Sequence, residues 1–395
     1  MAQHTADVVI IGGSVVGSSI AWHLRALGVP RVIVVERDRR YQRASAFLAM
    51  GGIRQQFCTE VTVRMVQHSV RFWSTFDERM GTADARPRAW FRQRGYLFLA
   101  TAGNAAALTH RYQRQRDAGA EVSLLSRDDI RQLLPDAALD DVEFGVFGPQ
   151  DGYANPREVL SGMHRGAEAA GAHFVQGQPV AMLRDGSRVT GVQLDNGDTI
   201  TAGAVVNAAG AWGGAIARMA GLDVPITPLR QMLFRATLPH RWPSRFPMVI
   251  DPSGVHWRHD DPVSDDDPDR IIVACTKWDD APGEQLDPEP DRWSRDFAPS
   301  LVRRMPGFHQ LTDVHGWAGL YEMTPDHNPV LGQHPDAPGL FFACGFSGHG
   351  LMMSPATGVI VSEMVTRGQS ETFDVGIFAP DRFARGALVH DEATI

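Results

Sequence analysis

The chain is short of cysteine and of long apolar segments, and it has no excess of basic residues. Its three cysteines, Cys58, Cys275 and Cys344, form no CxxC pair, so neither a disulfide framework nor a metal or redox site of that type is predicted. No apolar run approaches the roughly 20 residues that span a bilayer. With 38 Lys and Arg against 46 Asp and Glu, the net charge is −8, which argues against a nucleic-acid partner.

The length and the amino terminus narrow the class further. A chain of 395 residues can form two or three domains and bury a large core without disulfide or metal staples. The first residues lack the basic segment followed by an apolar segment that marks a secretory signal. We therefore expect a globular cytoplasmic protein that does not enter a membrane.

The first forty residues have the pattern of a nucleotide-binding unit. The β-branched run 7–11 predicts a strand buried on both faces, and the glycine-rich turn 12–17 follows it directly. Apolar residues at helical spacing predict a helix over 18–27, and a second buried strand is expected at 32–35. Glu36 closes that second strand.

These residue types suit the binding of a dinucleotide. Gly12 permits the tight turn, and Gly17 permits close approach of the helix to the strand. The helix amino terminus offers unpaired N–H groups and a positive dipole end to a pyrophosphate. Ser14 stands where the usual motif has its middle glycine, and it is small enough to admit a phosphate. Glu36 lies where an acid binds the ribose hydroxyls of an unphosphorylated adenosine.

Later glycine-rich segments favour FAD over NAD. A glycine pair followed by an arginine, at 51–54, lets the backbone approach a flat ring and balances its charge. A predicted strand ends in the small residues of 207–212, which permit close approach to a cofactor. Near the carboxyl terminus, the turn 345–351 leads from a strand into a helix predicted from about 354 to 366. FAD is an extended cofactor that needs contacts from both ends of the chain.

With these segments in place, the sequence resembles the flavin-dependent amine oxidase family that contains D-amino acid oxidase, glycine oxidase and sarcosine oxidase. It looks most like the β subunit of heterotetrameric sarcosine oxidase and related dehydrogenases. The resemblance runs from residue 7 to about residue 365 and is carried by VVIIGGSVVGSSIAWHL, GGIRQQF, NAAGAW, GLYEMTPDHNPVLG and GFSGHGLMMSP.

The resemblance implies an α/β fold. A Rossmann-like FAD-binding domain would be interleaved with a smaller α+β substrate domain built on a mixed β-sheet. The FAD-binding domain is predicted to comprise 1–86, 150–225 and 326–395, and the substrate domain 87–149 and 226–325.

The family's chemistry implies a hydride transfer from the carbon next to an amine nitrogen to flavin N5, giving an imine that hydrolyses. The substrate would be a small secondary or N-methylated amine or an amino acid, and O2 or another acceptor would reoxidise the flavin. Trp317 to Leu320 replaces the segment whose cysteine tethers the flavin in monomeric sarcosine oxidases, so FAD is expected to be non-covalent. Two alternatives stay open: a 2-hydroxy acid dehydrogenase, and a partner-dependent β subunit. A homo-oligomer and a heteromeric complex are both compatible with the sequence.

Four residues are candidates for a catalytic role. The context of Arg54 suggests a charge that steadies the reduced flavin, and the resemblance puts His349 near the flavin edge and Tyr321 facing the substrate. Lys277 is a candidate for promoting the reaction with oxygen. For hydroxy acid oxidation a basic histidine would be needed, and the sequence does not rank the candidates His256, His315, His327 and His349.

The predicted binding residues follow from the same motifs. Phe57, Tyr321 and Met352 are expected to contact substrate, and the apolar Phe57 and Met352 favour a larger, more apolar substrate end. Val180 is assigned to adenine by analogy with the family. The predicted cofactor-binding residues are Gly12, Gly13, Ser14, Val15, Val16, Gly17, Glu36, Arg37, Ser45, Gly51, Gly52, Ile53, Arg54, Val180, Ala209, Gly210, Trp212, Gly319, Gly345, Phe346, Ser347, Gly348, His349, Gly350 and Leu351.

Two further questions stay open at this point. Phe57 and Met352 occupy positions where the monomeric sarcosine oxidases carry the cations that bind the substrate carboxylate. Either another cation acts, with candidates Arg92, Arg94, Arg230 and Arg258, or the substrate is less acidic. The acidic segment 260–269 is predicted to be a solvated hairpin loop rather than a calcium site, and no metal site is expected.

Overall fold

The computed structural model describes residues 2–82, 85–241, 245–261, 267–276, 280–389 and 391. Numbered in chain order, the strands of this part of the chain are β1 (Gln3–Ile11), β2 (Val32–Glu36), β3 (Gly52–Ile53), β4 (Tyr96–Thr101), β5 (Ser123–Leu125), β6 (Val142–Gly148), β7 (Gly152–Tyr153), β8 (His173–Gln176), β9 (Pro179–Asp185), β10 (Arg188–Leu194), β11 (Thr199–Asn207), β12 (Thr227–Thr237), β13 (Met248–Ile250), β14 (Val255–Asp260), β15 (Arg270–Cys275), β16 (Thr312–Met323), β17 (Val330–Gln333) and β18 (Leu340–Cys344). The α-helices are α1 (Val15–Ala26), α2 (Ser45–Leu48), α3 (Glu60–Trp73), α4 (Phe76–Arg79), α5 (Ala105–Asp117), α6 (Arg127–Leu133), α7 (Pro156–Ala169), α8 (Gly213–Met219), α9 (Ala298–Arg304) and α10 (Gly350–Arg367).

One sheet is built on parallel strands in the order β18-β11-β1-β2-β8. β17 adds an antiparallel edge beside β18, and the hairpin β9–β10 pairs with β11. Because both faces of the parallel strands are covered, β2 reads Val-Ile-Val-Val-Glu and is buried along its whole length. This is the Rossmann-like sheet that the sequence predicts.

Helix α10 brings the two ends of the chain together by packing on α1. The contact is close because Gly358 has no side chain; a Cβ there would lie 2.4 Å from Oγ of Ser19. The Ser19 hydroxyl donates a hydrogen bond of 2.7 Å to the carbonyl of Ser354 on α10. The turn that precedes α10 is therefore held beside the turn that precedes α1.

A second sheet has the order β16-β12-β15-β14-β13-β4-β6-β5. It is mixed, because β13 and β4 are parallel while the other pairs are antiparallel. One of its faces packs on a core with α6 and α9, and the opposite face turns towards the first sheet. Its strands come from the two segments predicted for the substrate domain. The division into domains stays a prediction.

Most predicted elements agree with the structure to within a few residues, but helix α10 begins at Gly350 rather than near 354. The sequence suggests the later start because proline favours the first turn of a helix. Pro355 instead lies inside α10, where it cannot donate to the carbonyl of Leu351. That carbonyl accepts a hydrogen bond of 2.9 Å from the Ser354 hydroxyl, which compensates for the missing N–H.

Two sequence expectations fall partly outside the described residues. The acidic segment 260–269 is described only at its ends, and Lys277 is not described. Within the described ranges, no helix combines the length and the apolar character needed to cross a bilayer.

Candidate active site

A large cavity lies between the first sheet and the inner face of the second. It is lined by the β1–α1 turn at one end, by strands β12, β14, β15 and β16 at the other, and by the turn before α10 in between. The sequence-predicted residues that line it are Gly12, Ser14, Val15, Val16, Glu36, Arg37, Ser45, Gly51, Gly52, Arg54, Ala209, Gly210, Trp212, Gly319, Tyr321, Ser347, Gly348, His349, Gly350, Leu351 and Met352. Motifs from both ends of the chain thus meet in one cavity.

The β1–α1 turn has space only for glycine at its two ends. Gly12 adopts a φ of +98°, and a Cβ there would lie 2.4 Å from the carbonyl oxygen of Ala208. A Cβ on Gly17 would lie 1.9 Å from the carbonyl oxygen of Gly12. Ser14 is the N-cap of α1, yet its hydroxyl makes no capping hydrogen bond. The turn therefore presents its backbone and a hydroxyl to the cavity, as a pyrophosphate requires.

Glu36 is fixed beside this turn by backbone donors. Its Oε2 accepts a hydrogen bond of 2.8 Å from the N–H of Gly13, and its Oε1 accepts one of 2.8 Å from the N–H of Asp38. Burial raises the pKa of the carboxyl group, while these two hydrogen bonds oppose the rise. The carboxylate is thus oriented at the cavity wall where a ribose is expected.

Arg37 and Trp212 close the same end of the cavity. The guanidinium carbon of Arg37 lies 3.6 Å from the centre of the Trp212 ring, in a cation–π contact. Desolvation lowers the pKa of Arg37. Its Nη2 is buried and has no hydrogen-bond partner in the described part of the chain. A buried cationic donor of this kind fits an anionic or hydroxyl-bearing ligand such as FAD.

Arg54 and His349 are paired in the middle of the site. Arg54 is 1% exposed, and its Nη2 lies 3.2 Å from Nε2 of His349. Burial, and secondly the charge of Arg54, hold the pKa of His349 well below its usual range. Because a guanidinium can only donate, Nε2 of the neutral ring accepts, and the ring proton is on Nδ1.

Tyr321 and its neighbour Glu322 reach the cavity from β16. The Tyr321 ring packs on Gly348, where a Cβ would lie 2.7 Å from the ring. Glu322 is 8% exposed and accepts a hydrogen bond of 2.7 Å from the N–H of Gly345. Burial raises its pKa to about 7. Sequence reasoning missed Glu322, although a charged residue among the apolar residues that end β16, beside a predicted site residue, was a usable signal.

The lining residues that were not predicted as binding residues include Tyr96 on β4, Gln231 on β12 and His256 on β14. Tyr96 explains why position 52 is a glycine, because a Cβ on Gly52 would lie 1.8 Å from the hydroxyl oxygen of Tyr96. Alternation along a strand could have placed Gln231 and His256 on one face. The sequence alone did not say which face meets the cofactor domain.

Several predicted residues lie outside the cavity wall. The assignment of Phe57 to the substrate is corrected, because its side chain is buried behind the site. The centre of its ring lies 4.3 Å from the guanidinium carbon of Arg54 and 5.0 Å from the centre of the His349 ring. The Val180 side chain is 49% exposed, while the preceding residues 177–179 line the cavity. The other predicted cofactor-binding residues outside the wall lie behind the lining residues. They are Gly13, Gly17, Ile53, Gly345 and Phe346.

The four arginines considered for a substrate carboxylate do not line the cavity. Arg92 and Arg94 pair with Asp261, and Arg230 pairs with Asp280 and Glu289. Arg258 donates a hydrogen bond of 2.7 Å to the carbonyl of Met50. At the second-sheet end, Arg54 is the cation that the described residues place in the wall.

This architecture defines a class: an oxidoreductase that holds a dinucleotide between a Rossmann-like sheet and a mixed sheet. Residues 7–364 match the family described as DAO, FAD dependent oxidoreductase, and the chain belongs to that family. Its cofactor is FAD, as the glycine turn, Glu36 and the cavity indicate.

Individual relatives cover almost the whole chain. The FAD-dependent oxidoreductase domain-containing protein 1 of Bos taurus is 32% identical, over 99% of this chain and 87% of its own length. The crystal structure of L-proline dehydrogenase from P. horikoshii is 30% identical with a TM-score of 0.88, covering 98% of this chain and 100% of that chain. Glycine oxidase from Geobacillus kaustophilus is 25% identical with a TM-score of 0.82, covering 96% and 99%.

Proposed function

We propose that the protein oxidises the carbon next to the nitrogen of an amino acid or a related small amine, with secondary amines as the favoured substrates. The C–H bond breaks with its electron pair, and the nitrogen lone pair forms a C=N bond to give an iminium ion. The iminium ion loses its N–H proton to water, and water then hydrolyses the imine. FAD, when bound, would supply the acceptor for this hydride and the electron path to O2 or another acceptor. The names of the relatives, L-proline dehydrogenase and glycine oxidase, support an amino acid substrate.

The two histidines in the cavity wall, His349 and His256, are poor bases, and this favours an amine over a 2-hydroxy acid as the substrate. Oxidation of a hydroxy acid needs a base that takes the hydroxyl proton. His349 already accepts a hydrogen bond from Arg54 through Nε2. Desolvation lowers the pKa of His256 to about 4, which makes it a weak base. A neutral amine needs no such base, because its own lone pair drives the hydride out.

The other two histidines weighed as bases, His315 and His327, do not line the cavity. Arg54 supports an acidic substrate, because a buried cation at the second-sheet end would balance one carboxylate.

Anaerobic bleaching of the holoprotein tests the proposal. We expect the yellow flavin absorbance to be lost on adding at least one member of a panel of primary and secondary amino acids that includes L-proline, sarcosine and glycine. 2-Hydroxy acids of matched shape should leave the colour unchanged. Bleaching by a hydroxy acid, with none by any amine, would reject the proposal in favour of the alternative activity.

Readmission of air to the bleached protein separates an oxidase from a dehydrogenase. Lys277 is the single lysine of the chain, and we keep it as the candidate cation for the oxygen reaction. Lys277→Met should slow reoxidation by air without changing the anaerobic bleaching rate.

The same sample in size-exclusion chromatography would report whether the chain forms a homo-oligomer. Cytoplasmic location and a heteromeric partner likewise remain proposals.

A further inference from the structure

Two polar side chains stand on the inner face of the second sheet among apolar neighbours. Gln231 on β12 and His256 on β14 both line the cavity. The strand β15 lies between them, and its Ala274 is directly opposite Leu233 of β12 and His256 of β14. Gln231 is two residues along β12 from Leu233, so it points to the same face. The two polar groups are therefore two strands apart on one wall.

Gln231 has a donor without an acceptor. Gln231 is 7% exposed, and its Nε2 has no hydrogen-bond partner among the described residues. Buried polar groups in native proteins are nearly always paired, so an exception needs an explanation. Gln231 lies opposite Gly319 in the β12–β16 pair, where a Cβ would lie 3.2 Å from Cβ of Leu48, another residue of the cavity wall. A ligand atom that accepts a hydrogen bond would satisfy this amide.

His256 has an acceptor whose orientation is fixed. Its Nδ1 lies 3.0 Å from the carbonyl oxygen of Gly254, so Nδ1 carries the proton and donates it. Burial keeps the ring neutral, because it lowers the pKa to about 4. Nε2 then presents a lone pair, and the described residues provide no hydrogen-bond donor to it. A ligand N–H would satisfy this lone pair.

We propose that Gln231 and His256 bind the substrate, with the Gln231 amide donating to a substrate carboxylate oxygen and Nε2 of His256 accepting the substrate N–H. This inference rests on the proposed function and adds the substrate class. The site takes amino acids whose nitrogen keeps a hydrogen when neutral, and it rejects tertiary amines. A tertiary amine has no N–H for His256 and would press an alkyl group against the Nε2 lone pair.

Matched pairs of secondary and tertiary amines test whether the site rejects tertiary amines. The probes are L-proline with N-methyl-L-proline, and sarcosine with N,N-dimethylglycine, each added anaerobically to the holoprotein. We expect at least a tenfold lower apparent second-order bleaching rate for the tertiary member of any pair whose secondary member bleaches the flavin. His256→Leu should reduce that ratio to near one, and His256→Gln, which retains an acceptor, should restore part of it.

Gln231→Leu should raise the half-saturating concentration of the secondary amine about tenfold and change the limiting bleaching rate less. The matched controls are His309→Leu and Gln310→Leu, two exposed positions away from the cavity, which should behave as wild type. FAD content and FAD affinity are measured for every variant. This measurement separates a substrate contact from a contact with the cofactor.

The outcomes distinguish the two proposals. If no amine bleaches the flavin, the proposed function fails and this inference fails with it. If secondary and tertiary amines bleach equally well, the function stands and the role of His256 is wrong. If Gln231→Leu weakens FAD binding and leaves the half-saturating amine concentration unchanged, the amide serves the cofactor and its assignment to the substrate is overturned.

Discussion

Nη2 of Arg54 and Nε2 of His349 are hydrogen-bonded at 3.2 Å although 295 positions separate the two residues in the chain. Arg54 follows the short strand β3, and His349 is the N-cap of α10. The contact thus joins the glycine pair at 51–52 to the glycine-rich turn at 345–351. It also fixes the acceptor state of His349, since arginine can only donate.

This pairing predicts energetic coupling in a double-mutant cycle. Arg54→Met and His349→Phe should each destabilise the holoprotein, and their effects should not add, because either change breaks the same charge-assisted bond. Such a bond contributes about 1.5–3 kcal/mol, so a coupling energy of about that size is expected. The free energy of unfolding in urea is the measurement.

A cycle that pairs Arg54→Met with His309→Phe serves as the control, since His309 is exposed and remote from the site. That cycle should be additive within about 0.5 kcal/mol. If the effects of Arg54→Met and His349→Phe on the free energy of unfolding also add, the hydrogen bond between the two side chains does not stabilise the protein.

Glu36 gives a prediction about cofactor affinity. Glu36→Ala removes a carboxylate that two backbone N–H groups orient towards the cavity. Hydrogen bonds to charged groups contribute about 1.5–3 kcal/mol each, so FAD should bind at least tenfold more weakly. Titration of the apoprotein with FAD measures this. Glu78→Ala, at an exposed position, should leave the affinity unchanged. An unaltered dissociation constant for Glu36→Ala would mean that another group binds the ribose.

Local patterns of the sequence predict the glycine-rich turns and buried strands that line the candidate cofactor site. The turn from Gly12 to Gly17 is dictated by contacts that exclude any side chain, so its glycines are visible in the sequence. The strand predicted before the turn 345–351 is β18 (Leu340–Cys344), and it was recognisable because a fully buried strand is a continuous apolar run. Such features leave a mark in the local residue pattern, a glycine or an apolar run, even where the contact that causes them, such as that of Gly12 with Ala208, is distant in the chain.

The substrate half could not be predicted in the same way. The neighbours of Gln231 and His256 are set by the pairing order and register of β12, β15 and β14. Phe57 was assigned to the substrate from its position in a motif, but its ring packs behind Arg54. Which side of a side chain faces the cavity depends on how the two sheets pack, and no local pattern records that packing.

The attachment of FAD can be tested directly. We expect all the flavin to enter the supernatant when the holoprotein is precipitated with acid, because Gly319 and its neighbours offer no thiol where tethered relatives have one. Cys275 does line the cavity and is the alternative nucleophile. Yellow colour retained in the wild-type pellet and absent from that of Cys275→Ser would identify it as the tether and refute non-covalent binding.

Glu322 predicts a pH dependence of stability with a definite sign. Burial raises the pKa of this carboxyl group to about 7 in the folded protein, against an ordinary value of 4.5. Between these two values the folded state binds more protons than the unfolded state, so the stabilising contribution is complete below about pH 4.5 and is lost as the pH rises to about 7. The loss amounts to about 3 kcal/mol at most, from about 1.4 kcal/mol for each pKa unit. Glu322→Gln cannot ionise, so its free energy of unfolding should fall less steeply than that of the wild type across this range.

Glu363 provides a control of opposite sign. Hydrogen bonds from Thr372, Glu371 and Ser370 lower its pKa against the effect of burial, so its contribution is present above the ordinary carboxyl pKa and is lost on acidification. Glu363→Gln should therefore reduce stability at neutral pH and approach the wild type in acid, the reverse of Glu322→Gln. Urea unfolding of the three holoproteins at several pH values gives the slopes. Equal slopes for wild type and Glu322→Gln would show that Glu322 ionises normally in the folded protein, and the cavity would then hold a full negative charge beside the turn at Gly345.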